Sequence, residues 1–404
     1  MGLCTETGQF VLVIRGVRCT GAMLRPEEWT FRMKVTLERT ELLKSLTHVH
    51  RVVERRNTIP ILSNVMLQAE GGNLKLKATD LDLEVVESIA AMVETPGGTT
   101  VPAHMIYEIV RKLPDGSQVV LETSSDGSTM EIRAGRSCFA LQILPVTDFP
   151  DLTAGEFTHS FTMTAGGIRK LINSTQFAIS TEETRYYLNG IYMHSLDIGE
   201  GLRLRAVATD GHRLAQAELE APEGSEGMPG IIVPRKTVGE IQKLLDDPEV
   251  EIKVEISETK IRFTIGDIIL TSKLIDGTFP DYERVIPKGN DKELRVDRDA
   301  FKEAVDRVST IASDRGRAVK MSLSEGKIVL TVTNPDSGSA TEEVAVEYDN
   351  EEFEIGFNSK YLLDIAAQLE ADSALFTLAD SGSPTLVRDE GSDEALYVLM
   401  PMRV

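Results

Sequence analysis

Along this chain, short runs that alternate apolar and polar residues repeatedly switch to a spacing of three and four. The switch occurs in KVTLERTELLKSLTHVHRVV from Lys34, SFTMTAGGIRKLINSTQFAIS from Ser160 and ELRVDRDAFKEAVDRVSTIAS from Glu293. Alternation predicts a strand, and the longer period predicts an amphipathic helix. Leu42, Leu43, Leu46, Val49 and Val53 share a face of the first helix; Ile168, Leu171, Ile172, Thr175 and Ile179 share one in the second; Phe301, Ala304, Val305, Val308 and Ala312 share one in the third. One apolar stripe per helix predicts packing onto a sheet.

Two further kinds of segment recur in step with the first. Strands ending in a polar turn appear as LKLKATDLDLEV from Leu74, LRLRAVATDGHRLAQ from Leu202 and KIVLTVTNPDSGSA from Lys327. Thr79-Asp80, Thr209-Asp210 and Thr333-Asn334 mark the turns. A strand leading into a second helix appears as TTVPAHMIYEIVRKL from Thr99, GIIVPRKTVGEIQKLL from Gly230 and FEIGFNSKYLLDIAAQL from Phe353, each followed by further strand-like runs. Self-similarity at a spacing of roughly 130 residues divides the chain into three α+β units at about 33–152, 156–285 and 290–404. Similar units can make an elongated scaffold, and they can also close head to tail into a ring.

Length agrees, since 404 residues exceed one ordinary core. Hydrophobic residues at 41% and charged residues at 26% are the balance of a folded globular protein. Cys4, Cys19 and Cys138 offer no disulfide framework and no zinc spacing. The apolar run Phe10–Ile14 is short and has no Lys or Arg before it, so it suits neither a signal peptide nor a membrane span. Residues 1–32 have no counterpart in the repeat and are expected to be a disordered or mis-assigned extension, dispensable in either case.

A net charge of −21 argues against a nucleic-acid partner. Sign, however, segregates by element. The helical segments at 39–57, 103–112, 166–180 and 235–245 are net positive, 298–313 is neutral and 358–370 is net negative, so the six together are positive while the rest of the chain is strongly negative. Helices gathered on one surface would present a basic face to phosphates while the acidic exterior repels them. No aromatic ladder or finger motif suggests base readout, so any contact with duplex is expected to be blind to sequence.

Chemistry of other kinds finds little support. His48 and His50 are two apart on a helix and so diverge, which predicts solvated side chains and no metal site. Asp210-Gly211-His212 reads first as a turn, with a hydrolase using Asp210 and His212 as an alternative. No glycine loop for phosphates is present, so no cofactor is expected. An acidic scaffold without DNA contact is the other alternative.

Six strings narrow the choice: TIPILSN at Thr58–Asn64, RYYLNG at Arg185–Gly190, ATDGHRL at Ala208–Leu214, IVPRK at Ile232–Lys236, SKLIDGTFPDY at Ser272–Tyr282 and MPMR at Met400–Arg403. Together they resemble the bacterial sliding-clamp family, the beta subunit of the replicative DNA polymerase, from Met33 to Val404. The resemblance implies three clamp domains per chain and a homodimeric ring with helices inside and sheets outside. It also implies a non-catalytic role in which the ring encircles duplex DNA and tethers the polymerase for processive synthesis, in the bacterial cytoplasm at the nucleoid. By resemblance, Arg56, Tyr186 and Tyr187 would contact DNA, and Phe139 and Ile311 would meet across the dimer. A pocket for short Leu/Phe-containing peptides of the polymerase, the clamp loader and repair factors would comprise Leu188, Thr209, Gly211, His212, Arg213, Leu214, Pro280, Arg284, Val285, Asn358, Tyr361, Val398, Met400, Pro401, Met402 and Arg403.

Overall fold

The computed structural model describes residues 32–152, 155–312 and 317–403. The extension before Arg32, and Val404, lie outside the described residues. Six α-helices occur among them: α1 (Arg39–Val49), α2 (Ala103–Lys112), α3 (Ala165–Gln176), α4 (Arg235–Gln242), α5 (Arg298–Ser309) and α6 (Ser359–Ala366). Each begins where a strand ends, with no loop between them. The last strand residue caps the helix at α1, α3, α5 and α6, where Glu38, Thr164, Asp297 and Asn358 accept backbone amides of the first turn. A side-chain acceptor satisfies amides the helix cannot, so the polar residue at the switch is what lets the chain turn without a linker.

The apolar stripes point inward as their spacing requires. Leu42, Leu46 and Val49 are buried in α1, Ile168, Leu171, Ile172 and Thr175 in α3, and Phe301, Ala304, Val305 and Val308 in α5. The helices are shorter than the stripes suggest, so Val53, Ile179 and Ala312 lie beyond the helix ends. Val53 and Ile179 remain buried, in the turns beyond. The helices pack in pairs, α1 on α2, α3 on α4 and α5 on α6.

Antiparallel strands fill the chain between the helices, but the sheets do not respect the repeats. Strand Ile268–Lys273 of the second repeat pairs with Leu83–Ala90 of the first, from Ile268 opposite Glu87 to Ser272 opposite Leu83. Strand Ala395–Leu399 of the third pairs with Arg213–Glu220 of the second, with Leu399 opposite Arg213. Two eight-stranded sheets therefore cross the repeat boundaries. The first and third repeats also carry a five-stranded sheet, with Ser137–Gln142 at one edge and Met92–Thr95 at the other, and a four-stranded sheet, with Gly338–Ala345 at one edge and Phe353–Asn358 at the other. Most buried apolar side chains join one large cluster running through all three repeats.

Candidate functional site

The second boundary carries the groove. Its foundation is the turn Thr209–Arg213, which joins strands Leu202–Thr209 and Arg213–Glu220. Asp210 Oδ1 accepts the amides of His212 at 2.9 Å and Arg213 at 3.1 Å, and Thr209 Oγ1 accepts that of Gly211 at 3.1 Å. Gly211 has φ +87°, a conformation that strains any residue with a Cβ, and a Cβ there would also displace the Arg185 guanidinium, whose Nη1 lies 2.5 Å away. The turn thus holds Asp210 by its backbone and not against the His212 imidazole. The oxygens of Asp210 are spent on two amides and on Arg213 Nε at 3.1 Å, which is no general-base arrangement.

Arg213 locks the second repeat to the third. Only 6% exposed, it donates Nη1 to Asp364 of α6 at 2.6 Å and Nη2 to the Phe177 carbonyl at 2.6 Å. Its guanidinium also lies over the rings of Tyr361, at 4.3 Å, and Phe177, at 5.0 Å. Every nitrogen is engaged within the protein, so Arg213 shapes the site from beneath.

Above it, His212, Asn358, Tyr361, Met400, Pro401, Met402 and Arg403 line an open cavity of about 400 Å³. All seven belong to the set that the resemblance implies. The tail that supplies four of them is pinned on both sides, the Met400 amide to the His212 carbonyl at 3.0 Å and the Met402 amide to the Gly356 carbonyl at 2.8 Å. Met400 is nevertheless 42% exposed, an apolar side chain held at the surface by its own backbone.

Leu188, Leu214 and Val398 are buried in a separate apolar cluster with Val207, Ile232, Phe279 and Tyr282, and Ile275, Ile286 and Leu386 lie against it. Pro280, Arg284 and Val285 sit exposed on the segment that covers this cluster, and Arg284 pairs with Asp281 at 2.6 Å. That segment is anchored from below by Phe279, stacked on Tyr192 at 4.8 Å, and by Tyr282, whose hydroxyl meets His194 Nε2 at 2.9 Å and Arg205 Nη1 at 3.1 Å. Burial, with the Arg205 charge beside it, lowers the His194 pKa, and burial raises that of Tyr282. Sequence reasoning reads FPDY as part of the string Ser272–Tyr282, with only Pro280 at the implied pocket, and overlooks Phe279 and Tyr282 as anchors.

The first boundary repeats this turn. Asp80 Oδ1 accepts the amides of Asp82 at 2.9 Å and Leu83 at 2.7 Å, and the Lys273 amide meets the Asp82 carbonyl at 2.8 Å, as Met400 meets His212. There, Lys273 Nζ pairs with Asp82 at 3.0 Å and Lys236 Nζ bonds Asp80, Glu54 and the Val52 carbonyl. Ion pairs surround the turn of the first boundary, where His212 and Met400 line a cavity at the second.

Of the residues implied to face DNA, Tyr186 is 53% exposed and meets Tyr187 edge-on at 5.8 Å, in the short 3-10 turn Glu183–Leu188. Tyr187 packs against the apolar cluster. Arg56 is exposed but not helical, because α1 stops at Val49. The expectation of solvated histidines is corrected too, because α1 packs its His48 side against strand Leu83–Ala90. His48 Nδ1 reaches Glu87 at 2.9 Å with both side chains largely covered, and His50 stacks on Tyr107 at 3.8 Å. Burial lowers the His50 pKa. No group of three potential metal ligands converges among the described residues, and no helix there is long and apolar enough to cross a membrane.

Phe139 lies on edge strand Ser137–Gln142 and is 38% exposed. Ile311 lies just past the end of α5, and its carbonyl accepts from Asn334 Nδ2 at 2.9 Å, beside the turn into edge strand Gly338–Ala345. The two residues thus mark the open edges at opposite ends of the chain.

Three family models match in series: the DNA polymerase III beta subunit N-terminal domain over residues 33–153, its central domain over 162–281 and its C-terminal domain over 283–403. A beta sliding clamp of Caulobacter vibrioides is 53% identical over 372 residues, 92% of this chain and all of that protein. One of Escherichia coli is 41% identical over 375 residues, with the same coverage. Among solved structures, a sliding clamp from Bartonella birtlesii bound to griselimycin aligns with a TM-score of 0.90 at 57% identity, over 92% of this chain and 100% of that one.

Proposed function

The chain belongs to the DNA polymerase III beta subunit family, and on that premise we propose how its residues carry out the work of a sliding clamp. Clamps of this family are non-catalytic processivity factors, homodimeric rings whose partners are DNA and the polymerase, and this chain serves as one. A ring around the duplex separates retention from affinity. Strong phosphate contacts would hold the protein but stall it, whereas encirclement holds it while individual contacts stay weak and salt-screened. The observation that carries the reading is the threefold repeat from Met33 to Arg403, matched domain by domain. We place the domains at 33–152, 156–285 and 290–404.

In this reading Arg56, Tyr186 and Tyr187 touch the duplex, and edge strand Ser137–Gln142 meets edge strand Gly338–Ala345 of a second copy near Phe139 and Ile311. Exposed strand edges invite such pairing. The groove at the second boundary receives Leu/Phe-containing peptides from the polymerase, the clamp loader and repair factors. Met400, Met402 and Tyr361 suit it to varied apolar side chains. Work on chromosomal DNA puts the protein in the bacterial cytoplasm, associated with the nucleoid. Loading the protein onto nicked circular DNA and then linearising that DNA tests the ring. Escape upon cutting is expected, while equal retention on both forms would reject encirclement.

A further inference from the structure

A second cavity, of about 460 Å³, adjoins the groove and shares His212 and Tyr361 with it as walls. Its lining is charged where that of the groove is apolar: Glu182, Asp210, Arg213, Arg235, Lys360 and Asp364. What it can hold depends on which charges are already used. Asp210 and Asp364 are taken by Arg213, and Asp364 also by Lys360 Nζ at 2.7 Å. Arg185 holds Glu182 through two bonds, at 2.6 and 2.8 Å. The acidic side is therefore consumed.

Two cations are not. Lys360 is half exposed and spends one of its three donors on Asp364. Arg235, the first residue of α4, is exposed, and its guanidinium has no partner among the described residues. Free donors thus outnumber free acceptors in a cleft continuous with an apolar groove.

Resting on the groove assignment above, we propose that this cleft extends it, and that Arg235 and Lys360 read a carboxylate flanking the apolar anchor of a partner peptide. The shared walls favour a peptide over duplex DNA, because a chain leaving the groove past Tyr361 enters the cleft directly. Charge at such a rim adds specificity more than bulk affinity.

The test is fluorescence anisotropy on the full-length dimer with two labelled peptides that share one Leu/Phe core. One carries Asp residues on both flanks and the other Ser. The acidic peptide is expected to bind about three- to tenfold tighter, the range of one or two partly exposed ion pairs. That advantage should shrink with added salt and vanish in Arg235→Gln/Lys360→Gln, with the neutral peptide unaffected. Equal binding of both peptides by the parent chain, or an advantage that survives the double variant, overturns the proposal while leaving the groove intact. Failure of both peptides to bind rejects the groove itself. Weaker retention of the double variant on nicked circular DNA, with peptide binding unchanged, assigns the cleft to DNA and also overturns the proposal.

Discussion

The amide of Met400 donates to the carbonyl of His212 at 3.0 Å, tying the end of the third repeat to the turn of the second. A chain terminus ordinarily frays unless something holds it. Here the backbone is held and the side chain is left at the surface, which is the arrangement of a binding wall. Removing Met400–Val404 should abolish capture of Leu/Phe-containing peptides while the dimer persists, since the open sheet edges are elsewhere. Met400→Ala should weaken capture by about 1 to 3 kcal/mol. Peptide titration beside sedimentation of the same sample checks both, and undiminished binding by the truncated dimer would sink the assignment.

Arg213 makes a different demand. Its loss would leave Asp210 with two backbone amides and Asp364 with Lys360, and would remove the cation from between the rings of Phe177 and Tyr361. Arg213→Ala should cost about 1 to 3 kcal/mol of unfolding free energy, as losing hydrogen bonds to charged groups does. Arg213→Lys should recover only part, because an ammonium cannot reach three partners as a fork does. Urea denaturation of the two variants decides this; equal stability of Arg213→Ala and the parent would show that the brace contributes nothing.

Assembly should respond to the open edges. Phe139→Ala and Ile311→Ala are each expected to shift the dimer towards monomer in sedimentation at micromolar concentration. An unchanged dimer in both would move the interface elsewhere.

Two partly buried histidines set a pH dependence. His50 and His194 both have pKa values below the ordinary 6.5, chiefly because burial penalises the imidazolium. The unfolded chain therefore takes up these protons first, so their contribution is intact above pH 6.5 and is lost as pH falls towards the folded values. Melting temperature should drop on acidification through this window, and His194→Gln should blunt the drop. Identical profiles for that variant and the parent would remove His194 from the cause.

Much of this was legible in the residues. The switch from alternation to helical period placed all six helices, because a buried stripe fixes the period of an element. Their ends were less visible. Leu46 and Val49 continue to Val53 in sequence as if one helix, yet α1 stops after Val49 and tertiary packing buries Val53 from a turn. The groove walls His212, Asn358, Tyr361 and Met400–Arg403 come through resemblance alone, since nothing local distinguishes Met400 from an ordinary core methionine. The role of Arg213 and the crossing of strands between repeats were not readable, for both depend on partners more than a hundred residues away. Asp364 and the pairing of Arg213 with Leu399 are such cases.

The strand pairings across the repeat boundaries have a mechanical consequence. A joint made of parallel rows of backbone hydrogen bonds resists both bending and sliding, because every bond in the row must yield together. The strands therefore tie the three repeats of one chain into one stiff body, and compliance is left to the free edges of the terminal sheets. A ring built from such bodies yields at its seams first, so force applied to open it is delivered to the contacts that a second copy makes and breaks.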